Sequence, residues 1–147
     1  MDYIQGFDRN EELLFPAKID DYIGEENLVR FIEAFVILLD LIGLGFTHAQ
    51  VNTTGRPSYN PSDLLKLYIY GYLNCIRSSR KLERECIRNI EVMWLLKKLS
   101  PDHKTIADFR KNNAAAIKKV FKEFVAFCKE LDLFGGEVVS IDGTKIK

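Results

Sequence analysis

Apolar residues recur at helical spacing along most of this chain, and this periodicity is the feature that most limits its possible folds. The spacing is clearest in residues 25–44 and 117–131. Each apolar stripe needs a partner that buries it, so several such stripes within 147 residues indicate helices packed around one core. We therefore expect an all-α fold, a multi-helix bundle.

Capping and helix-breaking residues predict where these helices begin and end. Asn60 can cap a helix whose first position is Pro61, where no amide donor is needed. The residues that follow are apolar on nearly all sides, which predicts a helix in the middle of the fold. Gly43 and Gly45 are expected to end the helix at residues 25–44, and the polar residues after them to form a loop.

Three short helices are expected between Ser79 and Asn112, the last of them from about Pro101. The first helix has two stripes of residues, and each member of one stripe lies two positions from a member of the other. At about 100° per residue, this offset puts the stripes about 200° apart around the helix axis. The stripes are Leu82, Cys86 and Ile90 on one side and Arg80, Arg84 and Arg88 on the other. This pattern is compatible with a helix-turn-helix unit, and equally with an ordinary bundle whose arginines form a solvated face.

Residues 135–147 differ in kind from the helical part. Gly135 and Gly136 interrupt the periodicity, and residues 137–141 are short and β-branched, which is typical of a strand. We expect a helical domain at residues 1–134, one orphan β-strand at the C-terminus, and a second unit that begins at residues 135–147. A strand without neighbours leaves its backbone groups unpaired, so we expect this segment to be loosely held.

Charge is distributed unevenly although the formal net charge is zero. Residues 1–55 carry 3 basic and 10 acidic side chains, whereas residues 56–147 carry 18 basic and 11 acidic ones. The positive excess is densest at residues 77–122, with 13 basic against 5 acidic side chains. Such a local field suits a polyanion, so the second half is a candidate nucleic-acid-binding region.

Other function classes receive no support from the sequence. No stretch has the roughly 20 apolar residues that a membrane span requires, and the N-terminus lacks the pattern of a secretory signal. We therefore expect a cytoplasmic protein. Cys75, Cys86 and Cys128 are widely spaced in apolar helical patterns, which favours reduced core thiols over a metal site.

Several strings resemble the N-terminal domain of bacterial insertion-sequence transposases of the DDE type. They are GRPSYNP at residues 55–61, LLKLYIYGY at 64–72, IRSSRKLEREC at 76–86 and PDHKTIADFR at 101–110. The resemblance implies a domain that binds double-stranded DNA at the terminal inverted repeats of a mobile element. The residues that we then expect to contact phosphates are Arg77, Arg80, Lys81, Arg84 and Arg88. The residues that we expect in the groove are His103, Lys104, Thr105 and Arg110.

The same resemblance assigns the strand-like segment to the start of a ribonuclease-H-like catalytic domain. It implies that Asp142 is the first acidic metal ligand of that domain. In this chemistry two magnesium ions, held by several carboxylates, assist attack on a phosphodiester. The family's second aspartate and its glutamate are expected beyond residue 147. Mg²⁺ is therefore the cofactor expected for a full-length parent, and this chain alone is expected to bind no cofactor and to catalyse nothing.

Two alternatives remain beside a DNA-binding domain. The chain can be part of a complete strand-transferring enzyme, or it can be a decayed or regulatory helical fragment that pairs with intact transposase without binding DNA. The expected partners are double-stranded DNA and either a second copy or intact transposase, but not a membrane. Steep salt dependence of DNA affinity would distinguish a DNA binder from a pairing module.

Overall fold

The computed structural model describes residues 3–14, 17–49 and 58–131. A 3-10 helix at Ile19–Tyr22 precedes seven α-helices within these ranges, which contain no strand and no helix able to cross a membrane. The helices are α1 (Leu28–Ile37), α2 (Leu41–Leu44), α3 (Pro61–Leu73), α4 (Ser79–Arg88), α5 (Ile90–Leu95), α6 (His103–Asn112) and α7 (Ala114–Glu130). The prediction of a helical fold is confirmed there. The predicted strand and the predicted second unit at residues 135–147 lie outside the described residues.

Helix α3 is the buried centre of the fold. The Asn60 side chain accepts a hydrogen bond from the amide of Ser62 at 2.9 Å, and Pro61 occupies the first turn, as predicted. Every residue from 64 to 71 is buried. Helices α1, α5 and α6 pack around α3, which explains why its sequence is apolar on nearly all sides.

One charged side chain lies inside this apolar centre. Lys66 is only 4% exposed, and its Nζ lies 3.3 Å from Glu33 Oε1 and 3.8 Å from Asp63 Oδ1. Burial raises the pKa of Asp63, although the nearby lysine opposes that shift. Because an uncompensated buried charge is costly, the Lys66–Glu33 pair holds α3 against α1 in one register.

The single helix predicted at residues 25–44 is two helices. Helix α1 begins after Asn27, whose side chain accepts from the amide of Val29, and it ends at Ile37. Asp40 then starts α2, because its carboxylate accepts a hydrogen bond from the amide of Gly43 at 3.1 Å. Gly45, with φ at 86°, ends α2, whereas Gly43, which was also expected to end the helix, lies inside α2. The apolar residues keep their helical spacing through the break. The Asp40 carboxylate nevertheless accepts a backbone amide, and this hydrogen bond competes with those of a continuous helix.

Gly71 permits the chain to turn back closely at the end of α3. A Cβ at this position would lie 2.6 Å from the carbonyl oxygen of Ile76 and 3.0 Å from a methyl carbon of Leu82. The amide of Ile76 donates to the Gly71 carbonyl at 2.8 Å, which closes the helix in the Schellman manner. Cys75 adopts a left-handed conformation, with φ at 60°. This turn places the start of α4 directly beside α3.

Helices α1 and α7 meet through four phenyl rings. The ring of Phe35 lies 5.1 Å from that of Phe124, and the ring of Phe31 lies 5.2 Å from that of Phe127. Aromatic pairs at such distances stabilise beyond the area they bury. Two helices distant in sequence are thereby joined.

Candidate nucleic-acid interface

The predicted DNA-contacting residues lie on α4, on α6 and in the turn before α4. These two helices pack against each other. The hydroxyl of Ser78 accepts from the amide of Lys81, which caps α4. The carboxylate of Asp102 accepts from the amide of Thr105 at 2.8 Å, so α6 begins at residue 103, two residues later than expected. Hydrogen bonds from Thr105 also lower the pKa of Asp102, which keeps the cap ionised.

Three helices span residues 79–112, as predicted, but the first break falls differently. Asn89 ends α4 and at the same time caps α5, because its side chain accepts from the amide of Glu91 at 3.0 Å. Leu82 and Cys86 are buried, whereas Ile90 belongs to α5 and is 37% exposed. The predicted core stripe therefore stops at Cys86. The assignment of these helices to a helix-turn-helix unit stays a prediction.

The arginine stripe of α4 points away from the core, but its members are not equivalent. Arg80 and Arg84 are exposed, and neither forms an ion pair with another described residue. Arg88 is also exposed, yet its Nε lies 2.6 Å from Glu85 Oε2 and donates to it. This hydrogen bond lowers the pKa of Glu85. The uncompensated charge is therefore concentrated toward the N-terminal end of α4, where Arg77 and Lys81 are also exposed.

The predicted groove residues on α6 divide into two pairs. Lys104 and Arg110 are exposed, whereas His103 and Thr105 are half-buried. The amide of His103 donates to Glu83 Oε2 at 2.9 Å, and its ring Nδ1 lies 3.6 Å from Glu83 Oε1. These contacts of His103 hold the start of α6 against α4. They also restrict the orientation of the His103 ring, which makes the ring less available for contact with a DNA groove.

A cleft of about 350 Å³ opens where the start of α4 faces the end of α6 and the start of α7. We call it the basic cleft. Its lining residues include three cations and no acidic side chain: Tyr68, Arg77, Ser79, Ala107, Arg110, Lys111 and Ala114. The Tyr68 hydroxyl donates to the carbonyl oxygen of Ile106 at 2.5 Å. Burial raises the pKa of Tyr68 to about 12, so the phenol is neutral at physiological pH.

A second cleft of similar size lies between the 3-10 helix and α5, and its charge is mixed. Its volume is about 360 Å³, and its lining includes Asp20, Glu33, Lys97 and Lys98 beside Trp94. Opposite charges in one cleft largely cancel, so this site offers no comparable attraction to a polyanion.

Sequence reasoning missed two residues of the interface region, Lys111 and Asn113. Lys111 lies in the basic cleft, but nothing in its sequence context distinguishes it from any lysine on a solvated face. Asn113 is 3% exposed; its Oδ1 accepts from the amide of Thr47 at 2.8 Å, and its Nδ2 donates to the Phe109 carbonyl. Because the side chain is engaged in this way, it does not cap α7.

The predicted metal ligand, Asp142, lies outside the described residues. Within the described ranges, no three histidine, cysteine, aspartate or glutamate side chains come together in a way that could hold a metal ion. Magnesium binding therefore stays a prediction. The three cysteines are free thiols; the predicted core position is confirmed for Cys86 and Cys128 and is wrong for Cys75, which is exposed in the turn after α3.

The chain matches a known protein family. A family model described as "Transposase domain (DUF772)" matches residues 17–112, which is more than half of the chain. The matched range begins just before the 3-10 helix and ends at the last residue of α6. No curated protein and no solved structure matches significantly.

Proposed function

This chain belongs to the transposase domain family, and from that membership we propose that it binds double-stranded DNA at the ends of a mobile element. The observation that carries the proposal is the concentration of exposed, uncompensated cations at the start of α4 and on the adjacent α6. In this proposal the domain positions the terminal repeats of the element for strand transfer.

The proposed contacts divide by chemistry. Arg80 and Arg84 would bind phosphates, because a guanidinium offers two parallel donors that match phosphate oxygens. Lys104 and Arg110, exposed on α6, would reach the groove if that helix approaches the bases. Phosphate contacts supply most of the affinity and all of its salt dependence, while base contacts supply sequence preference.

A pair of substitutions on α4 tests this proposal. Replacing Arg80 and Arg84 together by Ala should weaken duplex binding at least tenfold and reduce the slope of log affinity against log salt by about 1.8, because each phosphate contact contributes roughly 0.9. Folding should be unaffected, since both side chains are exposed. Fluorescence anisotropy over a salt series measures both quantities.

Arg88→Ala is the matched control. It removes a guanidinium from the same face, but one whose charge Glu85 already compensates. We expect a smaller change in both affinity and salt slope than either Arg80→Ala or Arg84→Ala produces. Equal losses for all three arginines, or unchanged affinity in the double variant, would contradict the proposed surface.

The finer assignment rests on the sequence resemblance. We propose that the parent enzyme is a DDE-type transposase, that Asp142 is its first metal ligand, and that Mg²⁺ is its cofactor. One carboxylate does not hold two metal ions, so the 147 residues alone should neither cut nor join DNA. An end-containing plasmid incubated with the chain and Mg²⁺ or Mn²⁺ tests this. Nicking that disappears on Asp142→Ala would show the prediction to be wrong.

A pairing module is the second candidate, and an exposed apolar group favours it. Ile37, Leu38 and Ile42, at the end of α1 and in α2, are 69%, 79% and 58% exposed. Large apolar side chains grouped on a surface often contact another protein. Sedimentation of the wild type and of Leu38→Asp tests for self-association through this group. A module that only pairs with protein would not bind DNA, whatever the salt concentration.

A further inference from the structure

We propose that the basic cleft is a seat for one phosphate diester of the DNA backbone. The proposal rests on the proposed function and gives it a defined point of contact. It also assigns a role to Lys111, which no sequence pattern singled out, and it makes Arg110 a phosphate contact instead of the groove contact that the sequence predicted.

The charges of the cleft carry this inference. Arg77 comes from the turn before α4, while Arg110 and Lys111 come from the end of α6, so the fold brings together cations more than 30 residues apart. No acidic side chain lines the cleft, and none of the three forms an ion pair with a described residue. The like charges of these three lining residues repel one another, and an anion bound in the cleft would offset that repulsion.

The remaining lining suits a phosphate group. Ala107 and Ala114 are small, so they leave the cleft open between its charged walls. The phenol of Tyr68 forms part of the lining, and its hydrogen bond to Ile106 holds it in place. Arg110 lines the same cleft as Tyr68, and its charge lowers the pKa of the phenol against the larger effect of burial. A neutral phenol adds no charge that would repel an anion.

Two helices also begin at the cleft and add to its positive field. Helix α4 starts at Ser79, and α7 starts at Ala114 without a side-chain cap, because Asn113 is bonded to Thr47 instead. The first amides of a helix carry partial positive charge. These helix ends support the cations and would not define a site by themselves.

The position of the cleft points to an internal backbone phosphate. Arg77 lies in the turn immediately before α4, so a line drawn from the cleft along this helix passes from Arg77 to Arg80 and Arg84. A single strand that follows this line would place successive phosphates on the arginines and one in the cleft.

The test compares two double variants of the full chain. Arg110→Ala with Lys111→Ala removes two cations of the cleft, whereas Lys122→Ala with Lys129→Ala removes two exposed cations of α7 that lie about 12 and 22 Å from Ala114 along the helix axis. We expect the cleft variant to lose about tenfold in affinity for duplex DNA at low salt, and its salt slope to fall by about 0.9. The α7 variant should change both quantities little.

The outcomes separate the cleft from the proposed function. If the wild type binds DNA but the cleft variant and the α7 variant have the same salt slope, the cleft does not bind a phosphate. The proposal that the chain binds DNA is unaffected by that result. If the wild type binds no DNA at any salt, the proposed function fails and the DNA assignment fails with it. Thermal melting of each variant verifies that the fold is intact.

A titration with inorganic phosphate identifies the source of the anion. Amide shifts of Ser79 and Ala114 should respond weakly to phosphate in the wild type and not in the cleft variant. A strong, saturable response together with an unchanged DNA slope would assign the cleft to a free phosphate-bearing ligand and overturn the proposal.

Discussion

Side chains of the same type differ in this molecule by whether their charge is compensated. Arg88 has Glu85 beside it, and Lys66 has Glu33, whereas Arg80 and Arg84 have no described partner. An exposed pair such as Arg88–Glu85 contributes only about 0–1 kcal/mol to stability. Its main effect is therefore to reduce the positive charge that α4 presents to a ligand. The sequence pattern alone does not distinguish Arg88 from Arg80 and Arg84.

Trp94, the single tryptophan of the sequence, should report the ionisation of Asp20. Its indole N–H donates to Asp20 Oδ1 at 2.8 Å, and the Arg30 guanidinium lies 2.8 Å from the same oxygen and 5.0 Å above the indole ring. These hydrogen bonds lower the pKa of Asp20 from its ordinary value of 3.8. The interaction is therefore complete above that value and is lost as the pH falls through the lowered pKa.

Tryptophan emission should consequently titrate at a pH below the ordinary aspartate range. Asp20→Asn should remove this titration, since the amide does not ionise. Emission spectra recorded at decreasing pH, with circular dichroism to confirm that the fold persists, measure the effect. An identical transition in both proteins would assign it to another group.

At the scale of helices, the sequence predicted those boundaries whose chemistry is local. Asn60 and Pro61 mark the start of α3 correctly because cap and first turn are adjacent in the chain. Asp40 was missed, because an aspartate within a helical pattern can either follow the helix or capture an amide. The hydrogen bond that Asn113 accepts from Thr47 was not predicted, because the two residues are distant in sequence.

The end of α3 offers a stabilising substitution. Cys75 closes the helix in the left-handed region, where a side chain is strained and glycine is not. Cys75→Gly should raise the free energy of unfolding by about 0.5–1 kcal/mol, after the added freedom of the unfolded chain is considered. Urea denaturation measures the change.

Lys118→Gly serves as the control, since it places glycine at an exposed position inside α7. It should lower stability by about 1 kcal/mol. A loss of stability in Cys75→Gly as well would mean that the Cys75 side chain stabilises the fold by more than its left-handed backbone conformation destabilises it.

For the whole molecule, hydrogen bonds fix how the helices are arranged. Glu91 accepts from Asn27 Nδ2 at 2.7 Å and from the Tyr70 hydroxyl at 2.8 Å, and Asn89 donates to the same hydroxyl. This network joins the cap of α1, the last turn of α3 and the junction of α4 with α5. Burial and the neighbouring Glu91 raise the pKa of Tyr70 to about 12, so the hydroxyl keeps its proton. Hydrogen bonds are directional, so the network orients α4.

Glu91 should be the member of this network whose loss costs most. Glu91→Ala leaves two donors without their acceptor and should lower the free energy of unfolding by about 2–3 kcal/mol. Tyr70→Phe removes one hydroxyl and should cost about 1–2 kcal/mol. Glu130→Ala, an exposed change, should stay within about 0.5 kcal/mol. Chemical denaturation ranks the three, and a Glu91→Ala variant as stable as Glu130→Ala would contradict the network's importance.

The candidate interface could be predicted only in part, because part of it depends on how the helices are arranged in the whole molecule. The charge pattern located basic residues on α4 and α6, since helical spacing determines which residues share a face. The convergence of Arg77 with Arg110 and Lys111 depends on how α6 lies against α4, which is a tertiary property. No spacing rule within one helix contains that information.

The four phenyl rings that join α1 and α7 also bear on how the chain is made. Phe31 and Phe35 leave the ribosome roughly 90 residues before their partners, which corresponds to about 5–20 s at usual rates of synthesis. During that interval both rings lack their final neighbours and offer a binding site for a chaperone. Closure of the core is therefore a late event of translation, and a ribosome stalled before residue 120 should hold a nascent chain that proteases cut readily.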